Sequence, residues 1–171
     1  MDRLNFYQFY DFDIYGQEAY SQDIAHYDET LETIFQYNVN EGLEKSLIAG
    51  VCSTSKFSPD HYEGNKSMDL LITLDRQNLR DVSDWGPDDC AVGLQWSQDK
   101  LNNEDLIIYP VAIVMGFGED AFKENVKLAK EQLELNLPKI LKSVNEKSRQ
   151  EIDPKLQKMS FSVTEWCKDH V

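Results

Sequence analysis

The densest group of side chains that could do chemistry lies in DVSDWGPDD, residues 81–89, where four aspartates surround a tryptophan. Spaced carboxylates coordinate calcium in EF-hand loops, but this segment lacks the DxDxDG pattern of such a loop. Carboxylates around an indole also suit protein recognition, because tryptophan is over-represented among interface anchors. The alternative is a tryptophan packed in the core with aspartates as solvated turn formers. We predict a partner-binding surface made of Asp81, Asp84, Trp85, Asp88 and Asp89.

Carboxylates also interrupt an aromatic stretch near the N-terminus, NFYQFYDFDIYGQEAY, residues 5–20. Aromatic enrichment and a terminating glycine favour a strand here. Its acidic end should stay exposed, because buried carboxylates need partners. We expect these residues to pack inward: Phe6, Phe12 and Ile14, together with Tyr10 or Phe9. The predicted binding surface therefore takes in six further carboxylates: Asp11, Asp13, Glu18, Asp28, Glu29 and Glu32.

A Cys–His pair is the clearest candidate for nucleophilic catalysis. Cys52 precedes His61 by nine residues, but such a dyad needs spatial contact and an orienting third group. The chain contains neither a GxSxG elbow nor a GxxxxGK(S/T) phosphate loop. We predict no catalytic residue, and we keep as the alternative a hydrolase whose site is assembled from scattered residues such as these two and the central acids.

Metal and cofactor sites lack a complete motif. His26 and Glu29 have the spacing of ligands on one helix face, yet no further ligand is identifiable. GFGED, residues 116–120, lies where dinucleotide-binding loops occur, but it lacks the third glycine of GxGxxG. Glu119 and Asp120 would repel phosphate and instead favour the positive end of a helix. We therefore predict neither a metal nor a cofactor.

Charge is the strongest property of the whole sequence. The net charge is −14, from 31 acidic and 17 basic residues. Residues 1–120 hold 23 acids and 7 bases, whereas residues 121–171 hold 8 acids and 10 bases. Such a charge repels nucleic acid and anionic membranes and attracts basic proteins. We predict a basic protein partner and no direct nucleic-acid binding, with solubility alone as the alternative explanation.

Size and composition indicate one acidic domain, residues 1–171. A chain of 171 residues, 41% of them apolar, can bury a substantial core. The longest apolar stretch, residues 106–118, is shorter than the roughly 20 residues that a membrane-spanning helix needs. The first residues lack the layout of a secretory signal, and the three cysteines form no CxxC pair. We expect a cytoplasmic protein with reduced thiols and no membrane attachment.

Hydrophobic spacing predicts two helices in the first 50 residues. Ser21 is a candidate N-cap for a helix that ends near Asn38. NEGLEKSLIAG, residues 40–50, is predicted to form a second, shorter helix that ends at Gly50. The helix between Ser21 and Asn38 is predicted because apolar residues recur there at intervals of three and four: Ile24, Tyr27, Leu31, Ile34 and Phe35.

Three apolar segments in the middle of the chain predict strands. They are DLLITL (69–74), CAVGLQW (90–96) and LIIYPVAIVMGF (106–117). Because Pro110 cannot donate a hydrogen bond to a ladder, the last of these is predicted to be an edge strand or a bulged one.

The C-terminal third predicts a long helix. Residues 121–137 carry one apolar stripe, and Pro138 is expected to kink or end the helix before residues 139–150 continue as another. A short alternating segment, Met159, Phe161 and Val163, follows. The apolar stripe of the long helix consists of Phe122, Val126, Ala129, Leu133 and Leu137.

The predicted fold class is α+β: a single domain whose small, mostly antiparallel sheet is packed by an early helix and a long C-terminal helix.

In general character the chain resembles the immunity proteins of bacterial toxin systems, which are small, acidic, cytoplasmic and free of catalytic motifs. This resemblance implies an antitoxin that inhibits a basic toxin domain, most plausibly a nuclease, by protein–protein contact. Enzymes that act on nucleic acid carry basic clefts, onto which an acidic inhibitor can be steered. A phage-encoded mimic of nucleic acid is a related alternative, and an assembly subunit is another. Either a monomer or a homodimer is compatible with the sequence.

Overall fold

Eight strands and two α-helices form the part of the chain that the computed structural model describes, residues 3–16, 18–72, 78–101 and 107–150. The strands are β1 (Leu4–Tyr10), β2 (Asp23–Asp28), β3 (Thr33–Asn38), β4 (Leu47–Ser53), β5 (His61–Lys66), β6 (Asp84–Asp88), β7 (Cys90–Gln98) and β8 (Val111–Phe117). The helices are α1 (Ser67–Ile72) and α2 (Glu119–Gln150), and short 3-10 turns cover Tyr20–Gln22 and Ser55–Phe57.

The strands form two antiparallel sheets. A three-stranded sheet has the order β1–β7–β5, and a five-stranded sheet has the order β6–β2–β3–β4–β8. An isolated parallel bridge between Glu63 and Val82 connects β5 to the segment that leads into β6. Within the described residues, β6 and β8 are therefore the two edges of the larger sheet.

The two sheets pack face to face around a shared apolar cluster. Gln36 links them, because its buried side chain donates from Nε2 to the Cys90 carbonyl at 2.6 Å and accepts the Phe12 N–H at 3.1 Å. A buried amide with both ends bonded fixes the relative position of the sheets without an unpaired polar group. The cluster between the sheets includes Ala25, Ile34, Val51, Val92, Leu94 and Trp96.

Helix α2 covers the opposite face of the five-stranded sheet. Phe122 and Val126 are buried there against Phe35 and Val114. Gly116 permits this close approach, since a Cβ at that position would lie 2.7 Å from the Phe122 backbone nitrogen. The apolar stripe predicted for this helix is confirmed, and the molecule has three layers: small sheet, large sheet and helix.

The helix predicted over residues 21–38 is wrong, because this segment forms the β2–β3 hairpin. The Asp28 side chain closes its turn by accepting the N–H groups of Thr30 at 2.8 Å and Leu31 at 3.0 Å. Both faces of the large sheet are covered at its central strand β3, so residues 33–36 are all buried. A strand buried on both faces loses the alternating pattern that distinguishes it from a helix.

Two further elements differ from the sequence predictions. Residues 39–46 form turns, with Gly42 at φ +66°, and the chain then enters β4 where a helix ending at Gly50 was predicted. The strand predicted over residues 69–74 is wrong for its first four residues, which lie in α1. Short apolar runs are ambiguous between helix and strand, and tertiary packing decides between them.

The other strand and helix predictions fare better. β1 and β7 are strands, as predicted. β8 is an edge strand of the described sheet, as predicted, but it begins only at Val111, so the predicted strand is wrong for residues 107–110 and Pro110 lies outside it. Pro138 lies inside α2, so the helix does not end there. The predicted segment at residues 159–163 lies outside the described residues.

The N-terminal aromatic residues divide between inside and outside. Ile14 is buried and Phe12 packs against the central cluster, as expected. Phe9 and Tyr10 pack on opposite faces of β1, against different clusters. Phe6 is 36% exposed, and its ring lies beside Tyr109, so the expectation that it packs inward is wrong.

The predicted fold class, α+β, is confirmed. The structure has two antiparallel sheets, the short early helix α1 and the long C-terminal helix α2. No helix in the described ranges is long and apolar enough to cross a membrane.

Candidate functional site

Strand β6 carries the predicted aspartates along one edge of the large sheet. It pairs with β2 alone in that sheet, with Asp84 opposite His26 and Asp88 opposite Asp23. Gly86 has φ +116°, and a Cβ there would lie 2.4 Å from the Asp23 carbonyl oxygen. Glycine is therefore required for β6 to approach β2 this closely.

Three predicted carboxylates that are distant in sequence meet beside this strand. One oxygen each from Asp11, Asp13 and Asp89 lies within 4.8 Å of the others. The N-terminal acidic stretch and DVSDWGPDD therefore belong to one surface. Burial raises the pKa of Asp11, and the charge of Asp13 adds to this, whereas a hydrogen bond from Ser67 Oγ at 2.9 Å opposes it. We call Asp11, Asp13, Asp81, Asp84, Asp88 and Asp89 the acidic edge.

A buried aspartate lies beneath the acidic edge and was missed by the sequence predictions. Asp23 is 1% exposed and accepts the Ile14 N–H at 2.9 Å and the Asn38 Nδ2–H at 3.4 Å. Burial raises its pKa to about 6, with a further contribution from the charges of Asp13 and Asp11. A polar residue in a strand normally predicts solvent exposure, so the sequence gives no signal for this buried group.

Two histidines form hydrogen bonds with Asp81 and Asp84 of the acidic edge. His26 Nδ1 lies 2.6 Å from Asp84 Oδ1, and His61 Nδ1 lies 2.9 Å from Asp81 Oδ2. Asp81 also accepts the Tyr62 N–H at 3.1 Å. The hydrogen bond from His26 lowers the pKa of Asp84. Both histidines are held through Nδ1.

A stacked pair of tyrosines lies beside these histidines. The rings of Tyr27 and Tyr62 are 3.6 Å apart between centroids and within 10° of parallel. Burial raises the pKa of Tyr27 to about 12, and the charge of Glu32 adds to the shift. Both hydroxyls therefore stay protonated near neutral pH and can donate or accept hydrogen bonds. The sequence predictions missed this pair because its residues are 35 positions apart.

Trp85 lies on β6 but packs inward. Its ring is half-buried against the cluster between the sheets, and its Nε1–H is buried with no acceptor among the described residues. This supports the alternative of a packed indole over an exposed anchor. Its edge lines a shallow groove of about 450 Å³ together with Ile24, Tyr37 and Pro87.

The remaining predicted carboxylates do not belong to the cluster of Asp11, Asp13 and Asp89. Asp28 caps the hairpin turn, and Glu18 and Glu29 are exposed in turns. Glu32 accepts hydrogen bonds from Ser55, Ser58 and Lys130 Nζ, the last at 3.3 Å. Partial burial raises the pKa of Glu32, but these bonds outweigh it and the net shift is downward. Asp28 and Glu32 thus have structural roles.

Few basic side chains neutralise the acidic edge. Lys66 Nζ lies 3.6 Å from Asp88. Arg80, next to Asp81 in sequence, is engaged elsewhere, since its Nη2 lies 2.6 Å from the fully buried Glu63. Among the described residues, no lysine or arginine pairs with Asp11, Asp13 or Asp89.

The structure does not bring Cys52 and His61 together. Cys52 is fully buried beneath α2, and burial raises the pKa of its thiol to about 11. His61 belongs to the other sheet and is bonded to Asp81. A thiol with this pKa is protonated at neutral pH, so Cys52 is not an activated nucleophile.

Comparisons of the chain with protein-family models, with curated proteins and with solved structures give no match.

Proposed function

We propose that this chain is a non-catalytic acidic protein that neutralises a basic protein partner through the acidic edge. The observation that carries the proposal is the meeting of Asp11, Asp13 and Asp89 within 4.8 Å without a lysine or arginine partner among the described residues. Three carboxylates this close repel one another, and a guanidinium or ammonium group from a partner would relieve that repulsion.

The surroundings of the acidic edge support protein recognition. The Tyr27–Tyr62 stack offers a flat aromatic surface with protonated hydroxyls, next to Asp81 and Asp84. Aromatic groups supply contact area at interfaces, while surrounding charges set orientation and association rate. The partner that fits best is a cationic toxin domain of the nuclease type, which makes the chain a bacterial immunity or antitoxin protein of the cytoplasm.

The test is capture of partners from cells with the wild-type chain and with a triple variant, Asp11→Asn, Asp13→Asn and Asp89→Asn. We expect the wild type to retain a basic protein, with affinity that falls as salt rises. The triple variant should bind at least about tenfold more weakly, because charge pairs at interfaces contribute strongly to affinity.

A matched control keeps the change in net charge but moves it to α2. Glu124, Glu131 and Glu134 are exposed there, and their replacement by glutamine should leave binding unchanged. Equal loss in both triple variants would show that total charge, and not the acidic edge, governs binding. Capture of an acidic partner, or a complex insensitive to salt, would refute the proposal.

A hydrolase remains the second candidate because of the two His–Asp pairs. In each, Nδ1 is bonded to a carboxylate at 2.6 or 2.9 Å, the arrangement that orients a general base. If any hydrolytic activity is found, His26→Asn and His61→Asn should each reduce kcat by more than about 100-fold. Activity unchanged in both variants would exclude these pairs from catalysis.

A further inference from the structure

The edge of the large sheet opposite the acidic edge is apolar. Strand β8, with the sequence VAIVMGF, contains no charged residue. Ile113 is 43% exposed, Met115 55% and Phe117 71%. Edge strands are usually protected by charges, proline or bulges within the strand, and β8 has none of these along its seven paired residues.

The backbone of β8 offers hydrogen-bonding groups on its outer side. The Gly118 N–H donates to the Ser46 carbonyl at 2.9 Å, in register with the β4–β8 ladder. In an antiparallel pair, alternate residues bond to the neighbouring strand. Residues 112, 114 and 116 therefore bond to β4, and the N–H and C=O groups of Val111, Ile113, Met115 and Phe117 point outward.

An uncharged stripe of α2 lies along the same edge of the large sheet, on the face opposite the exposed β8 side chains. Asn125 Nδ2 donates to the outward Met115 carbonyl at 2.8 Å, which orients this face of the helix toward the side of β8 that no described strand pairs with. Leu128 and Leu135, 52% and 63% exposed, follow Asn125 at helical spacing. The stripe consists of Ala121, Asn125, Leu128, Gln132 and Leu135.

We infer that two copies of this chain pair through β8 about a two-fold axis at Val114, to form one continuous ten-stranded sheet. Antiparallel pairing in this register sets Ile113 opposite Met115 of the second copy, and Val111 opposite its Phe117. All four outward residues then find hydrogen-bond partners, while Met115 keeps its bond to Asn125 through the second lone pair of the carbonyl. The exposed side chains become one apolar stripe across the axis.

A second copy explains the surface better than a foreign strand does. A foreign strand would cover β8 but leave Leu128 and Leu135 in water, whereas a second copy brings its own α2 to lie beside the first. Removing the exposed part of these apolar side chains from water favours the assembly. Strand β8 carries no charged residue, so two chains of charge −14 can pair along this strand without placing like charges directly opposite each other.

The test is the mass of the full chain in solution by sedimentation equilibrium. We expect a dimer of twice 19.8 kDa for the wild type at micromolar concentration. Met115→Lys should raise the Kd of the dimer at least about tenfold, because a lysine on an edge strand opposes strand pairing and the two introduced charges lie on neighbouring strands across the axis. Leu135→Glu should also weaken the dimer, because it places a charge in the uncharged stripe of α2. This variant tests the helix contact without altering β8.

Met68→Lys is the matched control. Met68 is 64% exposed on α1, which packs against the small sheet, so the dimer should persist in this variant. A monomeric wild type would overturn the inference. So would a dimer that survives both Met115→Lys and Leu135→Glu.

Hydrogen exchange of the unmodified chain provides a second measurement that does not depend on how a variant folds. The outward amides of Ile113 and Met115 should exchange slowly at high protein concentration and at least about tenfold faster on dilution below the Kd. Fast exchange of both amides at every concentration would also overturn the inference.

Discussion

Replacing Asp23 with asparagine measures how strongly burial disfavours its charge. The asparagine keeps the shape of the side chain and can still accept the Ile14 N–H through Oδ1. Burial raises the pKa of Asp23 to about 6, above the ordinary value of 3.8. Because the folded chain then binds more protons than the unfolded chain between these two values, the free energy of unfolding falls as pH rises through them.

The size of this effect follows from the shift. A difference of about two pKa units corresponds to about 3 kcal/mol between the fully protonated and fully ionised states. Asp11 and Asp13 contribute to the shift but are exposed, so solvent screens their share. We expect Asp23 to account for a loss of about 2 kcal/mol between pH 4 and pH 7 in the wild type, and Asp23→Asn to lack this loss.

Urea unfolding at pH 4 and pH 7, followed by circular dichroism, measures the difference. We compare the difference in unfolding free energy between pH 4 and pH 7 for each protein. Effects of the substitution that do not depend on pH, such as a weakened contact between residue 23 and Asn38 at 3.4 Å, cancel in this difference. Asp99→Asn is the control, because that side chain is 96% exposed and should leave the pH dependence unchanged. An equal pH dependence in wild type and Asp23→Asn would refute the argument from burial.

Three further predictions concern stability, measured by urea unfolding at pH 7. Thr54→Val should stabilise the fold by about 1 kcal/mol, because the Thr54 hydroxyl is buried with no partner among the described residues; a loss above 1 kcal/mol would contradict this. Gly86→Ala should destabilise by more than about 2 kcal/mol, since its Cβ would meet the Asp23 carbonyl oxygen at 2.4 Å, whereas Gly16→Ala, with no atom within 4 Å, should cost less. Arg80→Ala should destabilise by about 3 kcal/mol because it leaves the buried Glu63 without its cation, and unchanged stability would show that the Asn65 amide and the backbone N–H of residue 80 satisfy this carboxylate.

The elements with a distinct sequence pattern were predictable, and the β2–β3 hairpin was not. α2 has a clear apolar stripe with charges elsewhere, and β8 is rich in β-branched residues. β3 is buried on both faces, so its apolar residues mimic helical spacing. Whether a short apolar run becomes a strand or a helix depends on layers contributed by distant parts of the chain.

The members of the acidic edge were predicted, but their arrangement was not. Composition identified Asp11, Asp13 and Asp89 as candidates, and only the fold joins them across 76 residues of sequence. The Tyr27–Tyr62 stack and the His–Asp pairs depend in the same way on contacts between β2, β5 and residues 81–84 at the start of β6. The sequence does not distinguish acidic residues that bind a partner from acidic residues with a structural role. In the structure, Asp28 closes the turn of the β2–β3 hairpin, and Glu32 bonds that hairpin to Lys130 of α2.

The strand order of the large sheet separates charge from apolar surface at its two ends. Among the strands that the structure describes, β6, with the aspartates, and the uncharged β8 are the outermost. In the two-fold assembly, the two β6 strands lie nine strand spacings apart, about 43 Å at about 4.8 Å per spacing. The assembly would then be bivalent, with acidic edges facing opposite directions. A partner with two basic sites at that separation would bind with an avidity that neither edge provides alone.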